Sequence, residues 1–151
     1  MSITVDLKIT RLEKDGSLPP LPSYGSEGAA GVDLTAFISE EITIIPTEIV
    51  VVPTGISVEI PEGYVGLLFV RSSLGVKHGI TLSNSVGVID SDYRGEIKIG
   101  LCNTSSIKYT IKKDDRIAQL VIIPCLKLNI YEVNELSQTE RNQGGFGSTG
   151  R

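Results

Sequence analysis

Apolar and polar positions alternate in short runs along most of the chain. Ile3, Val5, Leu7 and Ile9 carry polar neighbours between them, which predicts a half-buried strand over 3–9. The run 11–28 holds Pro19, Pro20 and Pro22 and reads as loop. Small residues from Ala29 lead into Val32, Asp33 and Leu34, an acid set inside a strand-like run. Strands are predicted over 42–45, 49–52 and 55–60, each closed by a proline. The longer apolar run 64–70 predicts a central strand. A hairpin over 80–88 is expected to turn near Asn84 and Ser85, with an apolar strand over 86–89. Further strands are predicted over 96–101, 107–111, 117–123 and 126–133. Short strands spaced about 8–12 residues apart predict an all-β sandwich or barrel. The single helix candidate covers 71–79, opened by Ser72 and Ser73 as capping residues and closed by Gly79.

Composition narrows the class. The 151 residues fit one domain. Aromatic residues make up 5% and Trp is absent, so the core must be Ile, Val and Leu, which favours strands. The formal net charge of −4 argues against a non-specific nucleic-acid or membrane binder. An anionic small molecule then needs locally clustered arginines, a metal ion, or both. Cys102 and Cys125 lie in apolar runs without C-x-x-C spacing, and both are expected as buried free thiols in a reducing compartment. The first residues lack a basic segment followed by an apolar one, so a cytoplasmic location is expected.

Four stretches could carry chemistry. Val86 to Ile89 runs straight into Asp90, Ser91, Asp92 and Tyr93. A carboxylate at the end of a buried strand, at the edge of low dielectric, is well placed as a general base. The same Asp90-Ser91-Asp92 also reads as an ordinary turn. The helix start beside Arg71 and Ser72 offers free N–H groups to an anion, or is a simple capped turn. The turn at Asn84, with Gly87 behind it, can present backbone groups to a planar ligand. The glycine-rich end, 141–151, has the composition of a disordered terminus, yet Phe146 with Ser148 and Thr149 could close over a base and a phosphate. His78 has no ligand set or triad nearby in sequence and is expected to pack or face solvent.

Together these stretches resemble the trimeric dUTP pyrophosphatase (dUTPase) family. Five segments stand in that family's order: Ala30-Gly31-Val32-Asp33-Leu34; Arg71-Ser72-Ser73-Leu74-Gly75; Asn84 to Gly95, centred on Gly87-Val88-Ile89-Asp90-Ser91-Asp92-Tyr93-Arg94-Gly95; Asp115-Arg116-Ile117-Ala118-Gln119-Leu120; and Arg141 with Gly144-Gly145-Phe146-Gly147-Ser148-Thr149-Gly150. All five in order make the resemblance specific.

The resemblance implies a jelly-roll-like β-barrel or sandwich over 1–136, one short helix, and a flexible arm over 137–151 that closes over the active site. It implies a homotrimer with active sites shared between chains, and Mg²⁺-dependent hydrolysis of dUTP to dUMP and pyrophosphate. Asp90 is implied as the base that activates water. Arg71, Ser72, Ser73, Gln119 and Arg141 are implied to hold the phosphates, and Asp33 to support Mg²⁺ through water. Asn84, Gly87, Val88 and Ile89 are implied to read uracil, and Tyr93 to pack on deoxyribose. Phe146 is implied to stack on the base, with Gly147, Ser148 and Thr149 beside it. Arg116 fits a structural ion pair at the subunit interface or a substrate contact equally. Asp114 and Asn142 stand where the family usually has glycine. Both residue types tolerate positive φ, so the two turns are expected to survive.

Two rival readings have their own signatures. A dCTP deaminase resembles the same fold, but its catalytic arginine and glutamate are replaced here by Val76 and Arg94. A non-catalytic trimeric binding module has no need of a general base at Asp90.

Overall fold

Twelve short strands and one helix follow one another along residues 4–145, the part of the chain that the computed structural model describes. In order they are β1 (Lys8–Arg11), β2 (Ser23–Tyr24), β3 (Val32–Thr35), β4 (Ile42–Ile44), β5 (Ile49–Pro53), β6 (Ile56–Glu59), β7 (Tyr64–Val70), α1 (Ser72–His78), β8 (Ile80–Leu82), β9 (Gly87–Ile89), β10 (Lys98–Asn103), β11 (Tyr109–Ile111) and β12 (Arg116–Pro124). The all-β expectation holds, with one short helix in the expected place. Four separate sheets form, β2-β3-β12-β7-β9, β5-β10-β8, β1-β6 and β11-β4. They do not join into one closed barrel among the described residues.

Period-2 alternation explains how the sheets share one core. In β10, Ile99, Leu101 and Asn103 point inward while Lys98, Gly100 and Cys102 point outward. Leu34, Leu68 and Leu120 from the five-stranded sheet meet Val52, Ile80 and Leu101 from the three-stranded one in a single cluster. Asn103 is fully buried, and its side-chain amide is satisfied. Nδ2 donates to the carbonyls of Ile44 (2.9 Å) and Ile107 (2.8 Å), and Oδ1 accepts from Ser105. It fastens the turn after β10 to β4, as a buried amide must be paired to avoid a desolvation cost.

The structure revises several expectations. Pairing in the first strand begins at Lys8, although alternate burial of Val5, Leu7 and Ile9 runs ahead of it. The hairpin over 80–88 does not form. Ser85 takes φ 63°, Ser85 N–H bonds Leu82 O, and the strands diverge: β8 pairs with β10, β9 with β7. No strand forms over 126–133, where Leu126, Leu128 and Ile130 are 87, 79 and 85% exposed. The cysteines are free, but Cys102 is half-buried and Cys125 is exposed just past the end of β12. His78 is exposed and packs its ring on Tyr109, 4.7 Å between centroids. Asp114 and Asn142 do take positive φ, 64° and 41°. No helix among the described residues is long and apolar enough to cross a membrane.

Candidate active site

β3, β12 and β7 lie side by side, so Asp33, Gln119 and Phe69 share one rung. Leu34 and Ala118, one step along, point into the core, which turns Asp33 and Gln119 to the opposite face. The pairing of β12 with β3 shifts between Arg116 and Ala118. That irregularity lets Ile117 and Ala118 both be buried and brings Arg116 to the same cleft as Gln119, three residues on.

β7 ends at Val70, and Arg71 is the cap position of α1. No side-chain bond caps the helix, so Ser72 and Ser73 occupy its first turn rather than the cap. Their backbone N–H groups are therefore among those without a helical partner. The Arg71 side chain turns to Asp33 instead, with Nε 3.1 Å from Oδ1. Arg116 Nη1 donates to the other carboxylate oxygen at 3.2 Å. The Asp33 side chain is 12% exposed and that of Arg71 28%, so their pair is held largely out of water, while Arg116 stays about half exposed. Asp33, Arg71, Ser72, Ser73, Arg116 and Gln119 thus line one cleft of ≈ 470 Å³. Two guanidiniums against one carboxylate leave it a net positive charge. Arg116 pairs with Asp33 within its own chain and borders this cleft.

The second group of expected site residues lies elsewhere. Asn84 and Val88 are exposed, Ile89 is half-buried, and Gly87 is buried. A Cβ on Gly87 would come within 2.9 Å of Leu68, so packing under the strand already requires glycine there. Asp90 borders a different cleft, of ≈ 670 Å³, with Tyr64, Val65, Glu59 and Arg94. Its carboxylate is exposed in the single chain, not at a low-dielectric edge. Lys8 hydrogen-bonds Glu59 at 2.7 Å and, with its charge, holds that carboxyl below the usual range; Arg94 adds to this. Asp90 and Tyr93 are tied in one turn, Tyr93 N–H to Asp90 O at 3.1 Å. Arg94 Nη1 folds back onto the Ser91 and Tyr93 carbonyls at 2.6 and 3.0 Å. Arg141 lines neither cleft, and its Nε bonds Gly144 O at 2.8 Å. Phe146, Gly147, Ser148 and Thr149 lie outside the described residues.

The two groups stand at opposite ends of β7. Asp90 sits by Val65 at its start, and Arg71 follows its last residue. Six residues of strand at roughly 3.3 Å each separate them by about 20 Å.

Sequence reading places Arg94 in the Asp90 segment without a contact for it, and takes Glu96 only as the start of the next strand. Glu96 Oε1 accepts the Gly55 N–H at 2.9 Å, a link across 41 positions that no local pattern announces. Among the described residues, no group of three or more His, Cys, Asp or Glu forms a metal cage. Asp33, with each oxygen engaged by one arginine, still has lone pairs for a water. A cation that keeps its own water shell fits that donor set, and a directly ligated one does not.

A family model described as dUTPase matches residues 19–150. The deoxyuridine 5'-triphosphate nucleotidohydrolase of Caldanaerobacter subterraneus subsp. tengcongensis is 49% identical over 150 residues, 99% of each chain. Its counterpart from Desulfitobacterium hafniense (strain DSM 10664 / DCB-2) is 47% identical over 148 residues, 97% of each chain. A Staphylococcus bacteriophage 80alpha dUTPase solved with dUpNHpp superposes with a TM-score of 0.86 at 30% identity, covering 98% of this chain and all of that one. A dUTPase from phage phi11 of S. aureus, solved for the coordination of a structural Mg(II) ion, gives 0.77 at 26%, covering 89% and 100%. Fold, ordered motifs and relatives agree, and this chain belongs to the dUTPase family.

Proposed function

We propose that the chain hydrolyses dUTP to dUMP and pyrophosphate at sites shared between copies of a homotrimer. The observation that carries this is the cationic cleft of Arg71, Arg116 and Gln119 around Asp33, in a protein of net charge −4. A triphosphate suits it. Arg71 gives charge-assisted bonds to phosphate oxygens, and Ser72, Ser73 and Gln119 add neutral ones. Mg²⁺ on the triphosphate neutralises charge when bound, and Asp33 holds it through water.

Asp90 holds and deprotonates the water that attacks the α-phosphorus. Since it stands about 20 Å from Arg71 on the same chain, a second copy must bring it to the phosphates. Asn84, Gly87, Val88 and Ile89 travel with it and read the uracil edge. Tyr93 packs on the deoxyribose and leaves a 2′-hydroxyl no partner. The exposed alternation Leu126, Leu128, Ile130 supports assembly, because such a row needs another surface to cover it. Residues 1–136 form the β domain, and 137–151 act as an arm. Arg141, Phe146, Gly147, Ser148 and Thr149 of that arm close over base and phosphates and exclude water. Two free thiols fit a reducing, cytoplasmic location.

The test is pyrophosphate release from dUTP, dCTP, dTTP and UTP, each with Mg²⁺ and with chelator. Release from dUTP alone, abolished by chelator, is the expected result. Binding of dUTP without release favours the non-catalytic module.

A further inference from the structure

Tyr93 is 43% exposed, and a ring so open needs something to hold it in place. Two features do so. Its hydroxyl donates to the Glu96 carbonyl at 2.9 Å. Its ring also lies in the space where Gly95 has no side chain. A Cβ there would stand 2.6 Å from Cζ and 3.0 Å from Cε2, closer still to the hydroxyl. Gly95 is not among the residues with positive φ, so backbone conformation gives no reason for glycine at this position. Its reason is the ring above it.

The anchor beneath the ring is itself tied down. The Glu96 side chain is 18% exposed, its Oε1 accepts the Gly55 N–H at 2.9 Å, and its Oε2 lies 3.8 Å from Lys98 Nζ. The carbonyl that receives the Tyr93 hydroxyl is therefore strapped to the turn between β5 and β6. Gly55 takes φ 68° and packs against Phe37 and Pro19 without room for a side chain, which makes that turn a firm base.

We propose that Gly95 and Glu96 are positioning residues that set the sugar discrimination of this site, acting through Tyr93. The inference rests on the reading that Tyr93 faces the deoxyribose. An alanine at 95 must displace the ring by about an ångström, since carbon atoms pack at about 3.5–4.0 Å. That shift opens room beside C2′ where a hydroxyl can enter. Loss of the Glu96 carboxylate loosens the same ring without adding an atom beside it.

The test measures kcat/KM for dUTP, UTP and dTTP in the wild type, Gly95→Ala, Glu96→Ala, Tyr93→Ala and the double variant Gly95→Ala/Tyr93→Ala. Gly95→Ala is expected to lower the dUTP/UTP ratio roughly tenfold, the scale of a one-group change in a binding pocket. Glu96→Ala lowers it by less. The dUTP/dTTP ratio, set at Asn84 to Ile89, stays as in the wild type in both. In the Tyr93→Ala background, Gly95→Ala has no further effect on the dUTP/UTP ratio, because the ring it acts through is gone. An unchanged dUTP/UTP ratio in Gly95→Ala, with the ratio collapsed in Tyr93→Ala, overturns the inference and leaves the Tyr93 reading intact. An unchanged ratio in Tyr93→Ala overturns that reading and this inference with it. Equal loss of both ratios in Gly95→Ala assigns glycine a general structural role and overturns the proposal as well.

Discussion

Asp33 holds Arg71 across two elements: the carboxylate on β3 takes the Arg71 Nε at 3.1 Å just where β7 gives way to α1. The same carboxylate accepts from Arg116 on β12. One acid thereby fixes the direction of both cations of this cleft. Asp33→Asn keeps an acceptor and the shape but removes the charge. Hydrogen bonds to charged groups are worth about 1.5–3 kcal/mol. The variant is therefore expected to raise KM for dUTP roughly tenfold or more and to need more Mg²⁺ for half-maximal rate. Steady-state rates over a Mg²⁺ titration check this. An unchanged Mg²⁺ requirement contradicts the role given to Asp33.

Asp90→Asn tests the base. General-base catalysis contributes typically about 10²–10⁴-fold, so turnover is expected to fall at least a hundredfold. Because Asp90 is exposed and its side chain makes no bond among the described residues, stability and binding of a non-hydrolysable dUTP analogue should change little. Calorimetric binding beside turnover separates the two. Near-normal turnover removes Asp90 from the chemistry.

The site's legibility was uneven, and the reasons are physical. Asp33 is visible as an acid inside a strand-like run and Arg71 as the residue beside the helix start, whereas Gln119 is marked only by the family resemblance. The register shift at Arg116 was invisible, since period-2 reading assumes an unbroken ladder. The hairpin over 80–88 failed for a similar reason. Turn chemistry at Asn84 and Ser85 was read correctly, but a turn does not say whether its flanking strands pair with each other or with β10 and β7. The alternation at Leu126, Leu128 and Ile130 is real in the sequence, yet in one copy no strand edge receives it. Alternation reports which side wants burial and not whose surface supplies it.

The turn after β4 carries a conformational cost that can be removed. Glu48 N–H bonds Ile45 O at 3.1 Å, with Pro46 second in the turn and Thr47 third at φ 68°. That third position favours Gly or Asn, and a β-branched residue is strained there. Thr47 is exposed, so Thr47→Asn loses no packing and keeps the N–H bond to Asn103 O. A gain of about 1 kcal/mol is expected. Urea unfolding at fixed protein concentration reads it as a higher midpoint, and a lower midpoint contradicts the account of the turn.

Truncation after Gln143 tests the arm. It removes Phe146, proposed to stack on the base in a contact of a kind worth about 1–3 kcal/mol, together with Ser148 and Thr149. Turnover is expected to fall by roughly 10–100-fold while sedimentation still shows a trimer. A monomeric truncated chain makes the arm an assembly element instead.

The central claim is that Arg71 and Asp90 of one site come from different copies. Co-expression of differently tagged Arg71→Gln and Asp90→Asn chains, each nearly inactive alone, tests it directly. With random mixing, about one site in four in a cyclic trimer receives both wild-type residues. Purification through both tags removes the unmixed trimers and leaves one complemented site per trimer, so dUTP turnover should recover to about a third of the wild-type level per site. Doubly tagged trimers as inactive as either parent contradict the shared site and place both residues' work within a single chain.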